Sequence, residues 1–394
     1  GVIPAVQAQT FDKLWKEVEQ AEKKSLPKTV IKLTDEIYQK GEKEKNSPQM
    51  LKAYAWRMKY REMLNPDSLY AGLKGLEQWV KQTDQPMDRA ILHSLIAGIY
   101  ANYAANNQWQ LRQRTEIVGQ TPSADIREWT ANMFVEKVRT NVKEALADSV
   151  LLLKTSSRDY IPFVELGKTS EYYHHDLYHL LASRGIDALL QVEKLGSGYT
   201  ETNAVNPVKQ DIIAIYGNML SAYKAAGLKE GYVLTALNYL DWRRGAERYI
   251  RPLQVKGEAS VLTDDTYLKA LNTLKSKYAS EPICAEVYLA QARYAIEKQQ
   301  QVNALQLCDE AIRLYPGYDR INALKNLREE ILAPYLNVYA ADQAFPNEEI
   351  ELRASHKNLD GFTVRIYQAK KLIKEQHYSV IRPEDYRTQD TVFT

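Results

Sequence analysis

The 394-residue chain has little of several things that would narrow its chemistry. It holds only two cysteines, Cys284 and Cys308, which excludes a disulfide-dense scaffold. The pair leaves two readings open: a single bridge, or two small apolar residues buried between helices. Charge of one sign is not in excess, since 52 Lys plus Arg stand against 50 Asp plus Glu and no long single-sign block occurs. That argues against a nucleic-acid partner, which calls for a concentrated cationic face. No apolar run approaches the length of a membrane span, so no transmembrane segment is expected. Six Phe stand beside 27 Tyr, so most aromatic positions carry a polar tip. The chain also has no G-x-S-x-G elbow, no G-x-x-x-x-G-K-[ST] phosphate loop and no G-x-G-x-x-G opening a helix after a strand. Carboxylate pairs such as Asp264-Asp265 and Glu348-Glu349 fall in expected turns, where they read as solvated caps rather than as an acid/base couple.

What is present is helical periodicity. From about residue 10 to residue 334 apolar residues recur at spacings of three and four, as in Phe11, Leu14, Trp15 and Val18. Ser47-Pro48, Asn65-Pro66, Thr121-Pro122 and Asn206-Pro207 each read as an N-cap acceptor followed by proline at the first helical position. Helices joined by short loops imply stacked antiparallel hairpins. Between Cys284 and Pro316 the residues Tyr288, Ala292, Ala304, Cys308 and Ala311 fall at spacings that resemble the tetratricopeptide helix pair. The expectation is an irregular helical-repeat solenoid; a non-repeating all-α domain is the alternative. Two long connections, 154–170 and 246–264, interrupt it and read as bridges between repeats.

After Pro334 the period changes to that of strands. Leu336–Tyr339, Ile350–His356 and Phe362–Tyr367 alternate, with Asn358–Gly361 supplying turn chemistry, and residues 391–394 read as a further strand beginning. The expected fold is therefore mainly α: a helical-repeat array over 10–334, then a small antiparallel β-sandwich segment over 335–394. Three or four strands do not close a sandwich of the immunoglobulin type, so that segment is expected to be incomplete.

Residues 1–9 read as the tail of a secretory signal peptide. Val6-Gln7-Ala8 places small residues at the positions of an A-x-A-like cleavage site, after apolar Val2-Ile3-Pro4-Ala5. An extracytoplasmic location, periplasm or cell envelope, follows from that reading.

One stretch has the outline of chemistry. Residues 171–179 hold His174, His175 and His179, three of the six histidines. His175 and His179 share a helix face, and His175-Asp-Leu-Tyr-His179 resembles the H-E-x-x-H zinc motif with Asp in place of the general-base Glu. Glu171 lies one turn back as a third candidate ligand. The apolar stripe Tyr173, Leu177, Leu180 and Leu181 is nearly opposite, the pattern of an ordinary amphipathic helix. These three residues are the candidate metal ligands; the preferred reading assigns no metal, cofactor or catalytic residue, and not an enzyme.

The segments FDKLWKEVEQAEKKSLPKTVIKLTDEIYQKGEKEKNSPQMLKAYAWRMKY, DIREWTANMFVEKV, YYHHDLYHLLASRGIDAL and ALKNLREEILAPYLNVY, the last leading into HKNLDGFTVRIYQ, resemble the N-terminal region of the large bacterial alpha-2-macroglobulin-like proteins. The resemblance spans nearly the whole chain. It implies that 335–394 opens the first macroglobulin-type sandwich of a longer, exported protease inhibitor. It also implies a protein partner: proteases, or other domains of the same full-length chain. The thioester motif Gly-Cys-x-Glu-Gln of some members is not matched, because Cys284 precedes Ala-Glu-Val and Cys308 precedes Asp-Glu-Ala. Two other readings stand beside it. A stand-alone surface protein binding a glycan or a protein would gather Trp56, Trp79, Trp109 or Trp129 along one groove; a zinc-dependent hydrolase would rest on His175 and His179.

Overall fold

The computed structural model describes residues 3–168, 170, 176–195, 206–248 and 262–394, without the side chains of 3–9 and 245–248. The protein is mainly helical with small antiparallel sheets at its C-terminal end. Among the described residues the first compact unit runs to Tyr232 and the second from Val233 onward.

The first unit contains α1 (Ile3–Lys23), α2 (Pro27–Lys43), α3 (Ser47–Leu64), α4 (Ser68–Gln82), α5 (Pro86–Asn106), α6 (Gln108–Gln113), α7 (Ala131–Leu146), α8 (Ser149–Lys154), α9 (Leu177–Val192) and α10 (Pro207–Ala226). Helix α1 thus begins at Ile3 and runs through the stretch read as a signal remnant. From α1 to α5 each helix packs on the next, and α5 then also meets α7 and α9. The sequence of α5 explains that position. Met87, Ile91, Leu92, Ile96, Tyr100 and Ala104 are buried on more than one side of it, so a single apolar stripe is replaced by an apolar girdle. Phe134 and Val138 of α7 and Leu177 and Leu189 of α9 complete that core.

Three helix connections close in the same way. Leu26 N–H donates to the Ala21 carbonyl at 2.9 Å, Asn46 N–H to that of Gly41 at 2.8 Å, and Gln300 N–H to that of Ala295 at 2.8 Å. The residue before each donor, Ser25, Lys45 or Gln299, has φ of 54°, 54° or 58°. This is the Schellman closure, with a non-glycine in the left-handed position. Each acceptor carbonyl belongs to a small, buried residue, and each following helix starts directly after the donor.

The N-cap expectations are met unevenly. Asn206 caps α10, accepting from the N–H groups of Val208 and Lys209. For α3 the cap is Asn46, accepting from Gln49 N–H, which moves Ser47 into the helix and frees its hydroxyl. Asn65 instead ends α3, and Thr121-Pro122 lies in irregular backbone between α6 and α7. An Asn-Pro or Thr-Pro pair suits a turn as well as a helix start, and here the neighbouring chain decides.

The second unit contains the greater part of α11 (Lys229–Arg248), then α12 (Asp264–Lys277), α13 (Cys284–Glu297), α14 (Gln301–Leu314) and α15 (Asn322–Leu332). Arg244 of α11 lies over the rings of Tyr267 and Tyr294, 4.9 and 4.8 Å from their centroids, and bonds to Asp264 at 3.4 Å and Glu297 at 2.7 Å. One guanidinium thus ties α11, α12 and α13. The α13–α14 pair has the small buried contacts its spacing predicts, with Ala292, Ala304, Cys308 and Ala311 fully buried. Most of the 246–264 connection lies outside the described residues.

Five strands follow: β1 (Tyr335–Ala340), β2 (Leu352–Lys357), β3 (Gly361–Gln368), β4 (Lys371–Ser379) and β5 (Gln389–Phe393). They form a three-stranded sheet in the order β1-β2-β5 and a hairpin of β3 with β4, all antiparallel. The two sheets share a ring cluster in which Phe362 lies 5.0 Å from Phe393 and Tyr378 4.5 Å from Phe393. The start of β3 requires glycine. A Cβ on Gly361 would sit 2.6 Å from the Tyr378 carbonyl oxygen across the pair. Asn358 fastens this segment to the helices, donating from its side chain to the carbonyls of Ile331 at 2.8 Å and Ala333 at 3.2 Å.

Candidate functional site

Of the candidate metal ligands, Glu171 and His175 lie outside the described residues. His179 is in the first turn of α9, where its backbone N–H donates to the capping Asp176 carboxylate at 2.8 Å. Its Nδ1 is hydrogen-bonded to the Tyr223 hydroxyl on α10, so this ring joins two helices. Among the described residues no group of three or more His, Cys, Asp or Glu is placed to hold a metal ion.

Cys284 and Cys308 are free thiols, both fully buried, which decides between the two readings of the pair. Burial pushes the Cys308 thiol up to about 11, the range of an unreactive thiol. The Asp264-Asp265 pair opens α12 rather than forming a turn. Lys298, at 2.8 Å, and then Arg244 hold Asp264 below the usual carboxylate range, while Asp265 pairs with Lys269 at 3.1 Å. Glu348 and Glu349 are exposed in the β1–β2 connection.

The tryptophans do not gather along one groove. Trp15 and Trp56 pack edge to face at 6.1 Å with Lys52 over both rings, Trp129 is buried against Tyr100, and Trp109 is exposed. Trp79 differs from these. With Tyr38 and Tyr54 it forms a cluster of three half-buried rings whose centroids are 5.8–6.0 Å apart. This cluster lines a groove of about 1350 Å³ in the first unit.

Local sequence explains the groove. Tyr54 of α3 settles where α4 has glycines: its hydroxyl donates to the Gly72 carbonyl at 2.6 Å, and a Cβ on Gly75 would clash with the Tyr54 hydroxyl oxygen. A side chain at 75 would displace the Tyr54 hydroxyl from its seat on α4. Arg57 lies over Tyr38 and Tyr54 at 4.7 and 5.2 Å and pairs with Asp35 at 2.6 Å. Asp88, in the first turn of α5, holds one end together. Its buried carboxylate accepts from Ser47 of α3 and from Tyr160 in the 3₁₀ turn Ser157–Tyr160, each at 2.6 Å. The helix N-terminus and two hydroxyl donors stabilise the charge without a cation. Burial, and then Asp88, push the Tyr160 phenol far above its ordinary value, so it stays a donor.

Apart from the apolar Pro48, Met50, Met87 and Ile161, the rest of the wall is polar and acidic. Glu42, Glu44, Asp84 and Asp159 stand with Asp88 against a single cation, Lys45. Glu44 is engaged by Lys40 at 2.6 Å. Sequence reasoning did not find this groove, because its wall is drawn from residues 38 to 161 and no single segment carries the pattern.

No family model matches the chain, and no curated protein matches it.

Proposed function

We propose that the chain is a non-catalytic interaction and spacer module, the N-terminal part of an exported alpha-2-macroglobulin-like protease inhibitor. In this reading the helices form a tetratricopeptide-like array, and residues 335–394 are the opening strands of a macroglobulin-type sandwich. The observation that carries it is the state of the two small sheets. Leu336 pairs with buried His356 and Val338 with buried Ala354, so both belong to the face that carries the ring cluster, as does Ile366 on β3 beyond Phe362. Yet Leu336, Val338 and Ile366 are exposed. Aliphatic residues in register on facing sheets are sandwich-core positions. Left open, such surface is where another protein segment packs. The three helix connections closed by one device support the repeat reading, since stacked units reuse their turns.

The partners of such a module are proteases or other domains of the full-length chain. The test uses the native protein that carries this segment beside the 394-residue chain, each mixed with an endoprotease. The native protein is expected to shield the protease from protein substrates and leave small-peptide cleavage intact, and the chain alone to do neither. Inhibition by the chain alone would remove the spacer role, and failure of the native protein to shield would remove the inhibitor assignment.

A further inference from the structure

We propose that the groove walled by α2, α3, α4 and the Ser157–Tyr160 turn is a docking site for an extended basic protein segment. One of its lysine or arginine side chains lies against Trp79 and Tyr38.

Three properties of the wall lead to this ligand. The first is charge. Asp88 is consumed by Ser47 and Tyr160, and Glu44 by Lys40. Glu42, Asp84 and Asp159 are left, all exposed, and none makes an ion pair with a described residue. Among the described lining residues Lys45 is the one cation, with Arg89 donating to the Thr83 carbonyl beside it, so the three carboxylates still leave a field that favours a positive ligand. The second is the ring cluster. Electron-rich faces hold cations, and Tyr38 and Tyr54 already hold Arg57, which is not part of the groove wall. The Trp79 indole N–H and the Tyr38 hydroxyl make no hydrogen bond to a described residue, so both are available to a ligand's acceptors.

The third is size and the remaining polar groups. At about 1350 Å³ the groove exceeds the roughly 300–1,000 Å³ of small-molecule pockets, which favours a polymer. Gln78 and Gln82 lie one turn apart on α4, and each carboxamide offers a donor and an acceptor, the complement of a peptide unit. A neutral glycan would make the same use of the rings and amides but leave the three carboxylates without a role.

The experiment is fluorescence anisotropy of the chain with a labelled, unstructured lysine–serine peptide, a serine-only peptide and a neutral oligosaccharide. The wild type should bind the basic peptide alone, and added salt should weaken it. The combined variant Glu42→Gln, Asp84→Asn, Asp159→Asn changes only exposed side chains, so its melting temperature should hold while affinity falls about tenfold. Trp79→Leu should also weaken the basic peptide, with circular dichroism confirming an intact fold. Absence of basic-peptide binding, or equal affinity in the charge variant, would overturn the proposal. Oligosaccharide binding lost in Trp79→Leu and kept in the charge variant would overturn it in favour of a glycan.

Discussion

Asp88 shows how much one residue organises. A carboxylate in the interior is costly unless donors surround it, and here the donors come from α3 and from a turn more than sixty positions away. Removing one donor leaves the charge under-solvated, so the loss exceeds that of an ordinary hydrogen bond. Tyr160→Phe keeps the ring and deletes the 2.6 Å bond; it should cost about 1.5–3 kcal/mol in urea unfolding of the first unit. A change below about 0.5 kcal/mol would mean that water replaces the phenol and that Asp88 does not join these elements. Sequence gave no hint of this role: an aspartate after Pro86-Met87 reads only as a residue favoured in a helix's first turn, and Ser47 read as a cap. The hydroxyl became free because Asn46 took the cap.

At the scale of elements, the repeated helix closure gives a second test. Ser25 and Gln299 adopt left-handed backbone at φ of 54° and 58°, which costs an L-residue about 1 kcal/mol or more. Glycine removes that cost and loses some of it again to unfolded-state entropy. Ser25→Gly and Gln299→Gly should therefore each stabilise the protein by about 0.5 kcal/mol, read as a raised urea midpoint with an unchanged slope. Destabilisation by either would show that the side chain contributes more than the backbone conformation costs.

The elements were legible in the sequence where periodicity was strong. The apolar spacing located the helices from Phe11 to Pro334, and strict alternation located β2 and β3. What was missed depends on backbone detail. Strand β4 went unrecognised because its hairpin turns on Ala369-Lys370, with φ of 47° and 69°, in place of the Asn-Gly that usually marks such a turn. Of the twenty residues from Arg112 to Ala131 only Arg112, Gln113 and Ala131 are α-helical, and the sequence reading ran helix through much of that stretch. The Ile117-Val118 apolar pair there is exposed rather than part of a helix face.

At the scale of the molecule, the two compact units carry different kinds of surface. The first has an acidic, ring-lined groove, and the second has sheets with open apolar faces. The groove was not readable beforehand, since it is assembled from residues distant in sequence, while the strands of the open sheets were read as part of an incomplete sandwich. The histidine cluster that did stand out has His179 engaged with Tyr223. An apolar sheet face left exposed calls for a covering segment, and the account assigns that segment to the same polypeptide. The most direct measurement is an immunoblot of fractionated native cells with antibody raised against this chain. The account predicts a band several times larger than 45.2 kDa in the envelope fraction. A band near 45.2 kDa, or one confined to the cytoplasm, would contradict it.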